Sequence, residues 1–318
     1  MDTVVQLPSQ ETACPERAGW RQHTLKSAIG CVGVGVHTGR RVSVTLRPAE
    51  AGHGIVFHRT DLNRRIPARY DRVVDTRLST VIGDKDWASA RVGTIEHLMA
   101  AFAAAGIDNA LVEVDGPELP ILDGSAAPFL FLIDCAGIAE QAEARNVIEI
   151  RHAVRVSDGA AYAEFQPLPG LSQAAGPVLE LDVSIDFTAG AIGRQSSSLR
   201  LGTDTFRRGI ARARTFALAQ EVEQLRAAGF AQGGSLDNAV VVDGDKVLNP
   251  GGLRMDNEFA CHKLVDAVGD LALAGGALHG RFVAHRAGHA LNNRLLRALL
   301  AEAADVAAPA RRLEAVAA

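Results

Sequence analysis

The sequence lacks most of the features that mark secreted, membrane-spanning or nucleic-acid-binding proteins. Only four of the 318 residues are cysteine, and no two form a Cys-x-x-Cys pair. This excludes a disulfide framework or a Cys-rich zinc knuckle and fits a reducing compartment. The longest apolar run, around residues 98–106, is shorter than the ~18–20 residues that span a bilayer. The N-terminus carries Asp2 and no basic cluster before an apolar core, unlike a secretory signal.

Charge of one sign is not in excess either. The chain has 33 Lys+Arg against 37 Asp+Glu, a net charge of −4, whereas nucleic-acid-binding domains are usually strongly basic. Apolar residues make up 47% of the chain and charged residues 22%, as in ordinary globular proteins. These observations predict a cytoplasmic globular protein that neither spans a membrane nor binds nucleic acid, and we expect a monomer.

The glycine-rich segment at residues 33–39 predicts a hairpin turn. It has the sequence Gly-Val-Gly-Val-His-Thr-Gly, and a dinucleotide-binding loop would need glycine in place of Thr38 and a helix immediately afterwards. A strand is predicted there instead, over residues 42–46. The chain also has no Gly-x4-Gly-Lys-Ser/Thr motif, so a phosphate-binding P-loop is excluded.

The periodicity of apolar residues predicts an α+β protein of two similar domains, each a β-sheet with packed helices, with the helices sandwiched between the two sheets. The expected divisions are an extension at 1–19, a first domain at 20–140, a second domain at 147–305 and a tail at 306–318. The predicted helices cover residues 94–105, 125–135, 204–213, 256–274 and 288–303. The predicted strands cover residues 32–36, 42–46, 111–114, 147–156, 161–165, 179–187 and 280–285.

Residues 258–271 are the most informative segment. Glu258, His262, Asp266 and Asp270 recur every four residues beside an apolar stripe, and ionisable groups there are costly unless they bind something or face water. His262 and Asp266, at i and i+4, are ~5–6 Å apart at Cβ and can converge on one ion. The alternative is a solvated helix face with a His–Asp pair.

Two further segments carry candidate ligands or catalytic groups. Glu96 and His97 fall in the first turn of a predicted helix that begins after Thr94, the expected N-cap. Neighbouring helix residues point ~100° apart, so one side chain can bind a metal while the other reaches only its water. The alternative interpretation of Glu96 is an acidic residue at a helix start, where the helix dipole favours its negative charge. His289 follows Gly288 at a predicted helix start and is a third candidate. The alternative interpretation of His289 is a capping or surface histidine.

Taken together, seven ordered motifs resemble those of the UDP-3-O-acyl-N-acetylglucosamine deacetylases, zinc hydrolases of lipid A synthesis. The motifs are Gly-Val-Gly-Val-His-Thr-Gly (33–39), Thr-Ile-Glu-His-Leu (94–98), Pro-Ile-Leu-Asp-Gly-Ser-Ala-Ala-Pro-Phe (120–129), Arg-Ala-Arg-Thr-Phe (212–216), Gly-Gly-Ser-Leu-Asp-Asn (233–238), His-Lys-Leu-Val-Asp (262–266) and Gly-His-Ala-Leu-Asn-Asn (288–293). The resemblance covers about residues 20–303 and implies the same two-domain sandwich. It also implies an insertion at about 217–235 that forms an apolar passage for an acyl chain.

The resemblance implies one catalytic Zn²⁺, with Fe²⁺ as an alternative in the cell, and a UDP-linked acylated amino sugar as substrate. The implied metal ligands are His97, His262 and Asp266, with water in the fourth position as in catalytic zinc sites. The implied catalytic residues are Glu96 as general base, His289 as a protonated partner, Asp270 bonded to His289, and Thr215 at the oxyanion. The implied substrate-binding residues are Lys263, Phe216, Leu218, Val222, Ala231, Gly234 and Arg286.

Three parts of the sequence either depart from the family pattern or allow a second interpretation. Arg286 stands where lysine is expected in the family, and its planar fork binds phosphate with a different geometry. The stripe that contains Leu218 and Val222 is otherwise ordinary core. Four arginines precede Thr215 and either attract an anionic diphosphate or form a solvated helix face; they are Arg207, Arg208, Arg212 and Arg214.

Two other classes of protein share parts of this pattern. Non-haem Fe(II) oxygenases also use two histidines and one carboxylate, but they usually draw a His-x-Asp pair from a strand, whereas His262 and Asp266 have helical spacing. A nucleotide-sugar-binding protein without activity is the second alternative. The presence of Glu96 beside His97 argues against it.

Overall fold

The computed structural model describes residues 20–168 and 176–314, with side chains described as far as residue 301. The predicted extension at 1–19 lies outside the described residues, as do residues 315–318 of the predicted tail. The described chain is α+β, as predicted, with helices packed between two larger sheets. Within the described ranges, no helix is both long and apolar enough to cross a bilayer.

Six α-helices form within residues 20–168 and 176–314. They are α1 (Glu96–Ala105), α2 (Ala127–Ala136), α3 (Thr203–Gly209), α4 (Ala219–Ala227), α5 (Glu258–Leu271) and α6 (His289–Glu314). Strands of the first half are β1 (Arg21–Leu25), β2 (Ile29–Val34), β3 (Arg41–Pro48), β4 (Ile55–Arg59), β5 (Arg64–Pro67), β6 (Val73–Asp75), β7 (Val81–Gly83), β8 (Arg91–Val92), β9 (Ala110–Val114) and β10 (Ile138–Ala144). Strands of the second half are β11 (Val147–Glu149), β12 (Val154–Asp158), β13 (Ala161–Gln166), β14 (Leu179–Asp186), β15 (Arg194–Arg200), β16 (Phe216–Leu218), β17 (Val240–Asp243), β18 (Lys246–Val247) and β19 (Ala277–His285).

The two larger sheets have the same topology. The first has the order β2-β3-β9-β4-β5, and the second has the order β12-β13-β19-β14-β15, with β11 added alongside β19. In each sheet, the strand that comes last along the chain lies in the middle and makes the one parallel pairing of this five-strand path, β9 with β4 and β19 with β14. The repeat of element order predicted from the sequence is therefore a repeat of sheet topology.

The helices fill the space between these sheets. α1 packs against α5, α5 lies on β14 and β15, and α6 lies on β12 and β13. β14 alternates between buried and half-buried residues along its whole length, as expected for a strand with one face on the core. Seven fully buried phenylalanines contribute to the core: Phe57, Phe102, Phe129, Phe165, Phe206, Phe259 and Phe282.

Several predicted elements are present with changed ends. The hairpin turn after β2 is confirmed, with Gly39 at φ +64° before β3. The predicted strand over 147–156 is wrong as a single element, because it is divided into β11 and β12, which pair with different strands. Residues 138–144, which include most of the predicted boundary segment, form β10 and pair with β1.

Two other expectations are corrected by tertiary contacts. Thr94 does not cap α1: its φ is +56°, and its hydroxyl donates to the buried carboxylate of Glu118. The last helix does not end at residue 303, since the backbone of α6 continues through most of the predicted tail to Glu314. β15 was not predicted, because Arg-Gln-Ser-Ser-Ser-Leu-Arg has almost no apolar alternation.

Candidate metal centre and active site

His97, His262 and Asp266 form a cluster, here called the metal cluster, where α1 meets α5. Their candidate ligand atoms all lie within 4.8 Å of one another, and all three residues are buried. Asp266 Oδ1 lies 3.2 Å from His262 Nε2 and 3.8 Å from His97 Nε2. Two imidazoles and one carboxylate therefore converge on one point, with one ligand residue from the first half of the chain and two from the second.

The protonation of these groups suits a divalent cation. His262 Nδ1 lies 3.1 Å from the carbonyl oxygen of Ala213, so this nitrogen carries the proton and Nε2 keeps a free lone pair. Burial lowers the pKa of His97 to about 3, which keeps its ring neutral. Burial favours the protonated form of Asp266, but the nearby positive charges, that of His262 when it is protonated and that of Lys263, outweigh burial and hold the pKa of Asp266 well below its usual value. Neutral imidazoles and an ionised carboxylate are the ligand forms of a catalytic metal site.

The approach of α1 to α5 depends on Gly269. A Cβ at this position would lie 2.0 Å from the carbonyl oxygen of Glu96. Only glycine allows the first turn of α1 to contact α5 so closely, and this contact brings His97 next to His262 and Asp266.

Glu96 lies beside the metal cluster and is itself buried. Its Oε2 accepts a hydrogen bond from the backbone N–H of Thr80 at 3.0 Å, and its Oε1 lies 3.9 Å from His289 Nε2. Burial raises the pKa of Glu96 to about 8, although the nearby His289 opposes this shift. A carboxyl group with a pKa near neutrality can exchange a proton during a reaction.

His289 is held in place by Asp270. Its Nδ1 lies 2.8 Å from Asp270 Oδ2, and the same carboxylate accepts hydrogen bonds from the side chains of Asn292 and Thr80. Burial lowers the pKa of His289, but the charge and hydrogen bond of Asp270 outweigh it and raise the pKa to about 9. His289 is therefore cationic at neutral pH.

A cavity of about 410 Å³ opens onto these groups. Eleven predicted site residues line it: Glu96, His97, Thr215, Phe216, Val222, Ala231, Gly234, His262, Lys263, Asp266 and His289. Lys263 Nζ lies 2.9 Å from Asp266 Oδ2 and 5.5 Å from the centre of the Phe216 ring. Although burial opposes it, the charge of Asp266 raises the pKa of Lys263, so the cavity holds a lysine cation.

Two predicted substrate-binding residues do not line this cavity. Leu218 packs against the hydrophobic core. Arg286 lies outside the cavity, with φ +52° and its backbone N–H bonded to Ser184. Asp270 does not line the cavity, but its carboxylate contacts His289, which does.

The charged row of α5 is not a solvated face. Glu258, His262, Asp266 and Asp270 are all buried, so the alternative of an exposed helix face is wrong. Of the four arginines before Thr215, Arg207 pairs with Asp134, and the buried Arg214 pairs with Glu258. Both of these arginines are occupied by carboxylates of the chain itself.

Sequence reasoning missed three polar residues around the site. Thr80 bonds to both Glu96 and Asp270, and Asn292 bonds to Asp270. The buried Glu118 carboxylate accepts hydrogen bonds from His37, Thr38 and Thr94. Asn292 lies in a quoted motif, but an isolated threonine or glutamate carries no periodic signal that could have identified the other two.

Comparisons with known proteins identify one family. Residues 22–301 match the family described as LpxC, UDP-3-O-acyl N-acetylglycosamine deacetylase. A protein of Acidithiobacillus ferrooxidans named UDP-3-O-acyl-N-acetylglucosamine deacetylase is 49% identical over 284 residues, which are 88% of this chain and 90% of the relative. A protein of Myxococcus xanthus with the same name is 47% identical over 300 residues, covering 93% and 92% of the two chains. The chain therefore belongs to the LpxC family of UDP-3-O-acyl N-acetylglycosamine deacetylases.

Proposed function

We propose that this chain is a metal-dependent deacetylase that removes acetate from UDP-3-O-acyl-N-acetylglucosamine in lipid A synthesis. The observation that carries this proposal is the convergence of His97, His262 and Asp266 within 4.8 Å, next to the buried Glu96. The names and identities of the relatives supply the substrate class.

We assign Zn²⁺ as the ion, held by His97, His262 and Asp266. Two nitrogen ligands and one carboxylate with an open fourth position are typical of catalytic zinc, and Fe²⁺ accepts the same set. When bound, such an ion supplies a Lewis acid that activates water and polarises the amide carbonyl.

The reaction needs proton transfers that the surrounding residues can perform. The Glu96 carboxylate takes the proton of the attacking water, and the charge of the bound ion favours the ionised form that this requires. Thr215 and the protonated His289 line the cavity, and we assign the Thr215 hydroxyl and the His289 ring to the stabilisation of the oxyanion that develops on the carbonyl. The leaving amine then takes a proton from Glu96 or His289, which lie 3.9 Å apart.

The acyl chain is assigned to the apolar part of the same cavity. Val222 and Leu225 of α4 line it, together with Ala231 and Gly234. Lys263 and Phe216 lie beside the metal cluster, with Lys263 Nζ 2.9 Å from Asp266 and the Phe216 ring centre 6.3 Å from that of His262, and they are assigned to the sugar portion of the substrate. Arg286 is left out of this assignment, because it lies outside the cavity.

Substitution of Glu96 by glutamine tests the proposed chemistry. The amide keeps the shape of the side chain but removes the base, so we expect full metal content and a rate of acetate release lowered by ~10²–10⁴-fold. Glu113→Gln, a change of the same kind at a residue that pairs with Arg47 away from the cavity, is the control. A loss smaller than about tenfold in Glu96→Gln would contradict the assignment of the base. Acetate release without oxygen separates this function from that of an Fe(II) oxygenase.

Substitution of Ala231 by phenylalanine tests the acyl-chain assignment. Ala231 is 9% exposed and lines the cavity, so an added ring fills space that the chain would occupy. Displacing four methylenes, at ~0.8 kcal/mol each, lowers kcat/KM by roughly a hundredfold. We expect this loss for a long-chain substrate and little change for one without a chain. Ala228→Phe, which adds the same ring at an exposed position outside the cavity, should alter neither value.

A further inference from the structure

A buried ion pair lies one helical turn before the metal ligand His262. Glu258 is the first residue of α5, and its carboxylate accepts hydrogen bonds from Arg214 Nε at 2.8 Å and Arg214 Nη2 at 3.0 Å. The backbone N–H groups of Arg214 and Arg254 donate to the same carboxylate, at 3.0 and 2.6 Å. Glu258 is completely buried and Arg214 is 7% exposed. Neither residue lines the site cavity, and the proposed chemistry uses neither.

The backbone on either side of Arg214 carries two groups that the site needs. The Ala213 carbonyl oxygen accepts the Nδ1–H of His262 at 3.1 Å, and this bond orients the ring so that Nε2 faces Asp266. On the other side, the Thr215 N–H donates to the Gly124 carbonyl at 2.8 Å. Arg214 thus lies between Ala213, whose carbonyl orients a metal ligand, and Thr215, which lines the cavity.

We propose that the Arg214–Glu258 ion pair is a positioning device for the metal site, because it fixes the Ala213 carbonyl against His262 and holds Thr215 at the cavity. The pair joins this backbone segment to the start of α5, the same helix that carries His262 and Asp266. The inference rests on the proposed metal site. Hydrogen-bond partners of metal-ligating histidines typically change metal affinity ten- to a hundredfold when they are altered.

The test is the Zn²⁺ affinity of Arg214→Lys, measured by competition with a chromophoric chelator at a temperature below its melting transition. Lysine keeps the positive charge opposite Glu258 but cannot reproduce the two-pronged contact of the guanidinium. We expect the affinity for Zn²⁺ to fall by about ten- to a hundredfold, and kcat to fall more than KM rises.

Arg59→Lys is the matched control. Arg59 is 4% exposed, and its guanidinium makes a similar two-pronged contact with Asp61 and a third bond to the Arg91 carbonyl. It does not line the site cavity. The control should lower Tm to a similar extent and leave the affinity for Zn²⁺ at the wild-type value.

Wild-type affinity for Zn²⁺ in Arg214→Lys would overturn the inference, as would an equal loss of affinity in Arg59→Lys. If Arg214→Lys does not fold, Glu258→Gln makes the same test, since glutamine keeps the shape of the side chain with one acceptor oxygen. His262→Ala separates this inference from the proposed function. If His262→Ala binds Zn²⁺ as tightly as the wild type, the metal site itself is wrong. If His262→Ala loses the ion and Arg214→Lys does not, only the positioning role fails.

Discussion

Glu96 and His289 face each other across the site, and the pKa of each side chain is raised for a different reason. For Glu96 the main cause is burial, which brings its pKa to about 8. For His289 burial acts in the opposite direction, and the carboxylate of Asp270 raises the pKa to about 9. The charge of a metal ion near Glu96 favours its ionised form, while Asp270 keeps His289 protonated. A base and a cation can therefore coexist 3.9 Å apart at neutral pH.

Substitution of Asp270 by asparagine should separate these effects. Without the carboxylate, the largest influence that raises the pKa of His289 against burial is lost, so this pKa falls. The protonated fraction of His289 decreases as pH rises through its pKa, so the alkaline limb of kcat/KM lies near pH 9 in the wild type and moves to lower pH in the variant. Thr80→Val removes a hydrogen bond to Asp270 but keeps its charge, so it should retain the alkaline limb of the wild type. An unchanged limb in Asp270→Asn would show that His289 does not act as a cation.

At the scale of elements, the contact between α1 and α5 sets the site. α1 carries Glu96 and His97, and α5 carries His262 and Asp266, so a change in the spacing of these helices separates the ligands. The two backbones approach each other closely at Gly269, where an added Cβ would lie 2.0 Å from the Glu96 carbonyl oxygen.

Substitution of Gly269 by alanine should therefore destabilise the protein and weaken metal binding together. Helix propensity alone predicts a stabilisation of ~0.8–1.0 kcal/mol for this change, whereas overpacking of two backbones costs ~1–3 kcal/mol. We expect a lower Tm and a lower affinity for Zn²⁺. Gly251→Ala, where no atom lies within 4 Å of the added Cβ, is the control and should change neither quantity. A higher Tm in Gly269→Ala would mean that the helices separate without cost.

Local sequence patterns predicted the helices and strands that are determined by residues close together in the sequence. The helical period of residues 258–271 predicted α5 and placed His262 one turn before Asp266, and Gly106 ends α1 in the left-handed conformation typical of glycine at a helix C-terminus. Thr94 was predicted as an N-cap because its residue type favours that position, but its bond to Glu118 comes from another part of the chain. β15 is a strand because β14 pairs with it along its length, and its own polar residues give no sign of this.

The site was only partly predictable for the same reason. Spacing indicated that His262 and Asp266 could share an ion, but it left a solvated face open, and the family resemblance supplied His97 as the third ligand. The partner of Glu258 is Arg214, which lies 44 residues away in the sequence. No period connects these two residues, so their pairing could be found only in the folded chain.

At the scale of the whole molecule, the two similar sheets and the helices between them place the site where the halves of the chain meet. His97 comes from a helix of the first half and two ligands come from a helix of the second. In an unfolded chain His97 is far from His262 and Asp266, so an ion held by all three binds the folded state much more tightly than the unfolded one. Metal binding and the packing of α1 against α5 are therefore thermodynamically linked.

This linkage predicts that chelation lowers Tm and that added Zn²⁺ restores it. A ligand that binds only the folded state stabilises it by about 2.7 kcal/mol at a free concentration of a hundred times Kd, which corresponds to a rise in Tm of about 4 °C for a chain of this length. His262→Ala should lose this response, because one of the two ligands on α5 is missing, whereas Arg59→Lys should lower Tm and still respond to Zn²⁺. Scanning calorimetry with and without chelator measures the Tm of each variant and its response to Zn²⁺. If Tm does not change with Zn²⁺ while acetate release depends on the ion, the ion is not held by ligands from both helices. The assignment of His97, His262 and Asp266 as the metal ligands then fails.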